Sequence, residues 1–369
     1  MIEQNKKYKI ALIGFRLSAG GSDRVMARLS VFFEKHQIEV HNIIVMDEVS
    51  YPFAGKLINL GKYKNQTNDG FNRIKRMLVL KDYLRQHKFD YIIDFRFRIK
   101  PLQELLLAKW IYNAPTIFTV HSYLIDHYMP NASWLTKLMY NTAYANVAVT
   151  QQIQQRFEKQ HGLTNGLTIY NPIDADEIKA QKEEPIAIEY PFIIAIGQFE
   201  NPIKQFDLLI EHYGKTNLPK QNIHLVILGT GDEAKLEKVI GQNQLSAKVH
   251  LLGYQENPFK YLSKAKFLVL SSQNEGLPNV ILEAMACETP VVSFDCPSGP
   301  SEILNGKNGI LVANQNWEAL REAMNKMVED ETFYAKCKQH TLESCTPFLL
   351  ESIGKQWLAL MNINSGDVQ

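Results

Sequence analysis

Short apolar runs alternate with longer amphipathic stretches along most of the chain. The first run, residues 9–13, ends at Gly14 and is followed by a polar loop with Gly20 and Gly21, then by a periodic stretch over 22–36. This order predicts a strand, a loop and a helix. Helical patterns separate most of the further apolar runs of the first half, which lie at 40–46, 91–93, 116–120 and 146–149. Such alternation favours a mainly parallel sheet covered on both faces.

The same pattern occurs a second time after a polar interval at residues 175–189. The apolar runs of the second half lie at 192–196, 224–228, 249–252, 267–270 and 290–294. The sequence therefore predicts an α/β chain with two Rossmann-like, doubly wound domains. We expect an N-terminal domain at 1–180, a C-terminal domain at 190–350, and a C-terminal helix and tail at 351–369. Open parallel sheets bind ligands at the carboxyl ends of their strands, so we expect the site in an interdomain cleft.

The amino-acid composition limits the classes of protein to which this chain can belong. With 369 residues, 45% hydrophobic and 21% charged, the chain has the average make-up of a globular protein of about two domains. Its longest apolar runs fall far short of the ~20 residues of a membrane span, and residues 1–7 do not resemble a signal peptide, so we expect a cytoplasmic protein. The four cysteines form no CxxC pair, which favours free thiols, either packed in the core or exposed without a role, over disulfides or zinc.

Charge is divided unevenly between the two halves. Residues 1–180 hold 24 Lys or Arg against 16 Asp or Glu, whereas residues 181–369 hold 16 against 23. A basic first half suits an anionic partner such as phosphates or a lipid surface, although scattered solvated lysines give the same counts. Arg73, Lys75 and Arg76 alternate with apolar residues in a stretch that could rest on the inner membrane face, or could pack with a basic outer side. No nucleic-acid-binding motif accompanies these charges.

The loop after the apolar run 267–270 carries the most informative chemistry. Pro278 suits the first turn of a helix, and Gly276 lets the backbone come close to a ligand. The first amides of that helix, at Asn279 and Val280, form an anion site. Glu275 beside such a site suits a hydroxyl-rich ligand such as a sugar. Taken alone, Glu275 could equally be a solvated acidic residue in a loop.

Residues 275–286, followed by 289–292, resemble the Glu-x7-Glu signature of glycosyltransferase family 4. The segments 299–303, 308–312, 20–26 and 170–174 continue the similarity. The resemblance implies two Rossmann-like domains in the GT-B arrangement. It implies that the domain at 1–180 lies on the acceptor side and that the domain at 190–350 binds most of the nucleotide sugar. It also implies transfer with retention at the anomeric carbon and no metal ion or other cofactor.

Carried onto matching positions, the resemblance implies a role for each site residue. Glu275, Lys204 and His121 would be catalytic: Glu275 holds hydroxyls of the donor sugar, Lys204 the diphosphate, and His121 lies against the sugar near the reacting carbon. Gln198 occupies a position where the family usually has an arginine, so one cation on the diphosphate is missing. The implied donor-binding set, in which Glu283 would hold the ribose, is Gly20, Gly21, Gln198, Gly276, Leu277, Asn279, Val280 and Glu283.

Other motifs leave alternatives open. Residues 229–234 satisfy the GxGxxA form of the dinucleotide fingerprint, so an NAD(P)-dependent oxidoreductase is one alternative, and a non-catalytic nucleotide-sugar-binding protein is another. Asp174 and Asp176 form a DxD pair that we interpret as turn and cap chemistry and not as a metal site. Arg96 and Arg98 could meet acceptor phosphates, or could be solvated. On the strength of the resemblance, we expect a metal-independent, retaining glycosyltransferase that uses a UDP-linked donor and a glycan or lipid-linked acceptor in surface polysaccharide biosynthesis.

Overall fold

The computed structural model describes residues 7–18, 20–66, 70–200 and 202–363. The chain divides into two compact units. Unit 1 comprises the described residues up to Pro172 together with those from Leu350 onward, and unit 2 comprises Ile173–Leu349. The sequence predicts a separate C-terminal segment at 351–369, whereas in the structure the described part of that segment is included in unit 1.

A parallel sheet forms the centre of unit 1, and seven strands of it are described. Its order is β3-β2-β1-β4-β5-β6-β7, so the chain starts in the middle and winds outward in both directions. Leu12 of the central strand lies opposite Asn42 on one side and Ile93 on the other. The strands are β1 (Lys9–Gly14), β2 (Glu39–Ile44), β3 (Lys56–Asn59), β4 (Tyr91–Asp94), β5 (Thr116–Val120), β6 (Ala145–Ala148) and β7 (Gly166–Thr168).

Helices connect these strands and cover the sheet. They are α1 (Gly21–Lys35), α2 (Gly70–His87), α3 (Pro101–Leu106), α4 (Ser133–Tyr140) and α5 (Gln151–His161), with a π-helical turn at Leu107–Ile111 and 3-10 turns at Leu60–Tyr63 and Ile125–His127. Local chemistry fixes the ends of α5: the Thr150 hydroxyl accepts from the amide of Ile153, and Gly162 ends the helix in the left-handed conformation. The helix ends are therefore encoded by neighbouring residues.

Unit 2 repeats the plan with six described strands, all parallel, in the order β10-β9-β8-β11-β12-β13. The strands are β8 (Phe192–Ile196), β9 (His224–Leu228), β10 (Val249–Leu251), β11 (Leu268–Leu270), β12 (Val291–Asp295) and β13 (Gly309–Ala313). The central strands are buried on both faces, as their continuous apolar runs predict.

The remaining helices complete both units. They are α6 (Ala175–Gln181), α7 (Phe206–Gly214), α8 (Glu233–Gln242), α9 (Phe259–Leu262), α10 (Asn279–Ala286), α11 (Pro300–Ile303), α12 (Trp317–Glu329), α13 (Glu331–Cys345) and α14 (Leu350–Leu360), with 3-10 turns at Pro202–Lys204, Pro219–Gln221 and Thr346–Phe348. Helix α14 packs on α1 in the core of unit 1, where a Cβ at Gly354 would lie 2.3 Å from the Phe32 ring. Only glycine permits that close approach.

The structure confirms the predicted α/β class with two parallel sheets. Each of the ten apolar runs is a strand, and the described residues add β3, β7 and β13. All four cysteines are buried free thiols, which selects the first of the two alternatives that the sequence leaves open for them. No helix in the described ranges is long and apolar enough to cross a bilayer.

Candidate active site

The loops at the carboxyl ends of the strands of unit 2 are held against one another. After β8 and β9, the amide of Phe199 donates to the carbonyl of Thr230 at 2.8 Å. A Cβ at Gly229, which has φ +147°, would lie 1.8 Å from the carbonyl oxygen of Gly197. The glycine therefore permits two loops to approach closely at one edge of the sheet.

Lys204 and Glu275, which are 71 positions apart in sequence, meet at this edge. The Nζ of Lys204 lies 2.6 Å from Oε1 of Glu275, and the two side chains are 20% and 14% exposed. The backbone is also tied, since the Ser271 hydroxyl donates to the Lys204 carbonyl and the Gln273 amide donates to the Ile203 carbonyl, both at 2.8 Å. Two residues that the sequence assigns to catalysis thus form one ion pair that a small ligand can reach.

The loop that carries Glu275 leads directly into α10. The amide of Glu275 donates to the Pro297 carbonyl at 2.7 Å, and the Ser298 hydroxyl donates to the Gly276 carbonyl at 2.9 Å. Gly299, at φ +102°, lies so close that a Cβ there would be 2.5 Å from Cδ of Pro278. The loop after β12 therefore supports the loop before α10, a role that the sequence analysis did not assign to Ser298 or Gly299.

Helix α10 begins where the sequence predicts, with Pro278 as its N-cap. Asn279 and Val280 are half-buried in its first turn, where helix geometry supplies no intrahelical acceptor for the amides. Glu283 lies one turn further and is buried. Leu277 is buried as well, so only its backbone can face a ligand. The helix dipole and the amides make this end attractive to an anion next to the Lys204–Glu275 pair.

Gln198 lies exposed in the loop that follows β8. It is a neutral side chain at the position where the resemblance leads one to expect an arginine. Lys204 is accordingly the cation that the structure places against Glu275 at this edge.

In unit 1, His121 follows β5 directly. Its Nε2 lies 3.0 Å from Oγ1 of Thr119, and among the described residues none forms a hydrogen bond with its buried Nδ1. Burial, with a smaller effect of the Arg98 guanidinium, lowers the pKa of His121 to about 3. The imidazole is therefore neutral at physiological pH and can form a hydrogen bond without adding charge.

Gly20 and Gly21 form the start of α1 in unit 1. Gly20 is the N-cap, and its amide donates to Oδ2 of Asp23 at 3.1 Å. Burial raises the pKa of Asp23 to about 6, although Arg16, 3.4 Å away, acts in the opposite direction. Asp23 is a residue to which the sequence assigns no role, although it stands inside the quoted segment 20–26. Its burial depends on distant packing that the motif does not reveal.

Arg96 and Arg98 are buried, so neither is the solvated surface cation that the sequence allows as an alternative. Arg96 binds Asp94 at 2.8 Å and Glu104 at 2.9 Å in the protein interior. Arg98 donates to four backbone carbonyls, among them that of Thr119 at 2.8 Å. Burial alone would raise the pKa of Asp94, but the two arginines outweigh it and hold that pKa below its usual value. Both side chains hold the core of unit 1 together, and Arg96 also lines a cavity in this unit, so the acceptor-side assignment stays a prediction.

A cavity of about 270 Å³ opens at the ends of β1, β2 and β4 in unit 1. Apolar side chains such as Phe15 form much of its wall. Lys64, Arg73, Arg76 and Lys100 contribute positive charge. This combination suits a ligand with an anionic group and an apolar part.

Two motifs that suggest other chemistry have structural explanations. Asp174 is the N-cap of α6, and its Oδ1 accepts from the amides of Asp176 and Glu177, as the cap interpretation predicts. The glycine motif at 229–234 lies between β9 and α8, but β10 is followed by Leu252 and Gly253, and not by the acid that binds an NAD ribose. Within the described ranges there is no group of three His, Cys, Asp or Glu residues placed to hold a metal ion.

Comparisons with known proteins find a matching family model for most of each unit. A family model described as "Glycosyltransferase Family 4" matches residues 19–177, and one described as "Glycosyl transferases group 1" matches residues 176–343.

Relatives with similar sequences extend over nearly the whole chain. The N-acetylgalactosamine-N,N'-diacetylbacillosaminyl-diphospho-undecaprenol 4-alpha-N-acetylgalactosaminyltransferase of Campylobacter jejuni is 27% identical over 345 residues, covering 88% of this chain and 91% of the relative. The amylovoran biosynthesis glycosyltransferase AmsD of Erwinia amylovora is 23% identical, covering 96% of this chain and all of the relative.

The fold is also found among solved structures. That of a TarM mutant from S. aureus, in complex with fondaparinux, alpha-GlcNAc-glycerol and UDP, matches with a TM-score of 0.77 at 17% identity, covering 96% of this chain and 100% of that chain.

Proposed function

Because this chain belongs to the family 4 type of glycosyltransferases, which have the GT-B fold, we propose that it moves a sugar from a UDP-linked donor to a glycan or lipid-linked acceptor. We further propose that the transfer retains the anomeric configuration, needs no metal ion and serves surface polysaccharide assembly. The observation that carries the proposal is the 2.6 Å Lys204–Glu275 pair beside the N-terminus of α10.

Charge explains why this pair suits a nucleotide sugar. Cleavage of the bond between sugar and diphosphate builds negative charge on the leaving group and positive charge on the ring. Lys204 and the first amides of α10 supply positive potential for the leaving group, which replaces what a divalent ion would otherwise do. The Glu275 carboxylate accepts hydrogen bonds from sugar hydroxyls when the nucleotide sugar binds. Since Gln198 adds no charge, Lys204 carries a larger share of this stabilisation.

Retention follows if acceptor and leaving group use the same face of the sugar. The bond from the anomeric carbon to the diphosphate oxygen breaks, and the bond to the acceptor oxygen forms. The acceptor proton moves to the departing diphosphate oxygen, so the protein need not supply a nucleophile. His121 contributes a hydrogen bond as a neutral group, because an imidazolium would repel the positive ring.

The cavity in unit 1 supports an acceptor that carries phosphate. Its apolar wall and the cations Lys64, Arg73, Arg76 and Lys100 suit a lipid-linked diphosphate. The names of the relatives are consistent with this choice, since one acts on a diphospho-undecaprenol acceptor and another serves amylovoran biosynthesis.

Thermal stabilisation by a panel of nucleotide sugars tests the proposal. We expect UDP-linked sugars to raise the melting temperature of the full chain, because ligands that bind the folded state stabilise it. The Glu275→Ala variant should lose the part of the stabilisation that the sugar adds over UDP. EDTA should leave turnover unchanged. Stabilisation by NADH and not by any nucleotide sugar would contradict the proposal, and binding without donor hydrolysis would indicate a binding protein.

A further inference from the structure

Large exposed apolar side chains are unevenly distributed over the described residues. Fifteen of seventeen lie in unit 1, and ten of these fall between residues 71 and 138. They lie on α2, on residues 97–110 and on α4; we call this set the apolar face. Phe71, Leu102 and Trp134 are 81%, 78% and 71% exposed. Contiguous exposure on this scale marks an interaction surface.

Helical spacing places these side chains on one side of each helix. On α2 they recur at Phe71, Ile74 and Leu78, and on α4 at Trp134 and Leu138. Residues three, four and seven apart share one side of a helix. The opposite sides pack inward, as the buried Leu80 shows for α2. Each helix therefore exposes apolar side chains to solvent in addition to the residues that it buries.

Direct contacts join the helices into one surface. Helix α2 packs against the turn Leu107–Ile111, and this turn packs against α4. The ammonium of Lys81 lies 2.9 Å from the centre of the Trp110 ring, which connects α2 to the turn. Helix α3, with Leu102 exposed, runs directly into the same turn. The segments that carry the apolar face are thus neighbours in unit 1.

Positive charge accompanies the apolar face. Residues 70–138 contain eleven Lys or Arg and five Asp or Glu. Two of the five acids, Asp94 and Glu104, are buried against Arg96 and do not neutralise the surface. Lys75, Lys100, Lys109 and Lys137 are exposed among the apolar side chains.

We propose that the apolar face docks unit 1 on a lipid bilayer that contains anionic phospholipid. Apolar side chains enter the interface while lysine ammonium groups reach the headgroups, and tryptophan favours this depth. A second copy of the chain is a poorer partner, because two such faces carry the same charge. The inference rests on the proposed function only in that a lipid-linked acceptor lies in a membrane.

Vesicle sedimentation of the full-length protein tests the inference. The probes are vesicles of phosphatidylcholine alone and of phosphatidylcholine with phosphatidylglycerol. We expect binding to the anionic vesicles, weakened by salt, and a loss of at least about tenfold in Phe71→Ser/Leu102→Ser/Trp134→Ser. The matched control, Tyr254→Ser/Leu342→Ser, changes the two large apolar side chains that are exposed in the described part of unit 2 and should bind like the wild type. A second variant, Lys75→Gln/Lys100→Gln, keeps the apolar residues and should also bind less.

Three results would overturn the inference: absence of vesicle binding by the wild type, equal binding to both kinds of vesicle, or equal loss in the control variant. Gel filtration adds a fourth, since a dimer that the triple substitution separates would assign the face to a second copy. Hydrolysis of the sugar donor, measured without vesicles, reports on the proposed function separately. Turnover without vesicle binding removes only this inference, and vesicle binding without turnover removes only the proposed function.

Discussion

Units 1 and 2 have the same plan but different surfaces. Each is a parallel sheet that starts near its middle and winds outward, with helices on its faces. At the strand ends of unit 2, Lys204 and Glu275 form an accessible ion pair. At those of unit 1, the arginines Arg96 and Arg98 are internal, and His121 is neutral. Conversely, two large apolar side chains are exposed in the described part of unit 2, against fifteen in unit 1.

This difference indicates a division of work between similar sheets. The loops of unit 2 present opposite charges at a helix N-terminus, which suits a diphosphate sugar. The outer helices of unit 1 present apolar and basic side chains, which suits a lipid-linked partner. The fold supplies equivalent edges in both units, and loop and surface residues decide the chemistry.

The largest effect is expected at the close approach of two loops in unit 2. Gly229→Ala puts a Cβ 1.8 Å from the Gly197 carbonyl oxygen, so we expect about 3 kcal/mol or more to be lost from the free energy of unfolding. Gly241→Ala is the control, because its Cβ meets nothing within 4 Å and lies inside helix α8. It should leave stability unchanged or raise it slightly in urea unfolding. Equal stability of the two variants would contradict the assigned packing.

The second-largest effect is expected at the Lys204–Glu275 ion pair of unit 2. Lys204→Ala should lower turnover at least about tenfold, or ~1.4 kcal/mol of barrier, with an unchanged melting temperature. Lys182→Ala is matched to it, since Lys182 also forms a 2.6 Å ion pair, with Glu288, in the same unit. Steady-state kinetics should separate the two variants clearly. Similar rates for both would mean that the pair at 204 has no special role.

The neutral histidine of unit 1 predicts a pH dependence of stability. His121 has a folded-state pKa of about 3, below its ordinary 6.5, so acid protonates it first in the unfolded chain. The folded state should therefore lose stability as pH falls below 6.5, by about 1.6 kcal/mol from this group between pH 6.5 and 5. Denaturant unfolding of His121→Asn should show a shallower loss over that interval. Parallel curves for the two proteins would show that the imidazole is not buried as described.

The smallest effect is expected on the outer helices of unit 1. Leu102→Ser should change the free energy of unfolding by no more than about 0.5 kcal/mol, because that side chain is exposed. The buried Leu12→Ala should cost ~2–5 kcal/mol in the same assay. A large cost at Leu102 would mean that its side chain supports the fold and is not held ready for a partner.

Local pattern predicts most of the fold and only part of the site. Strands such as β8 and β9 are continuous apolar runs, so periodicity identifies them. Strand β3 escapes prediction because it is short, partly exposed and carries Lys56 and Asn59. The position of α14 also escapes, since its contact with Phe32 spans the whole chain. No local pattern encodes such a distant pairing.

For the site, the motif around Glu275 identifies the loop and the start of α10. The alternating Arg96 and Arg98 look like surface cations, but Asp94 and Glu104 bring one of them inside and backbone carbonyls hold the other. Asp23 shows the reverse, because a residue without an assigned role lies buried beside Gly20. Burial depends on tertiary packing, which sequence spacing does not report.

Calorimetric titration of UDP and of uridine tests the role of Lys204 most directly. The two ligands differ only in the diphosphate, so their difference in affinity measures what the protein offers to that group. We expect Lys204→Ala to weaken the binding of UDP at least about tenfold, ~1.4 kcal/mol, while uridine binds the variant as tightly as it binds the wild type. Unchanged UDP affinity in Lys204→Ala would contradict the claim that this ammonium holds the leaving diphosphate.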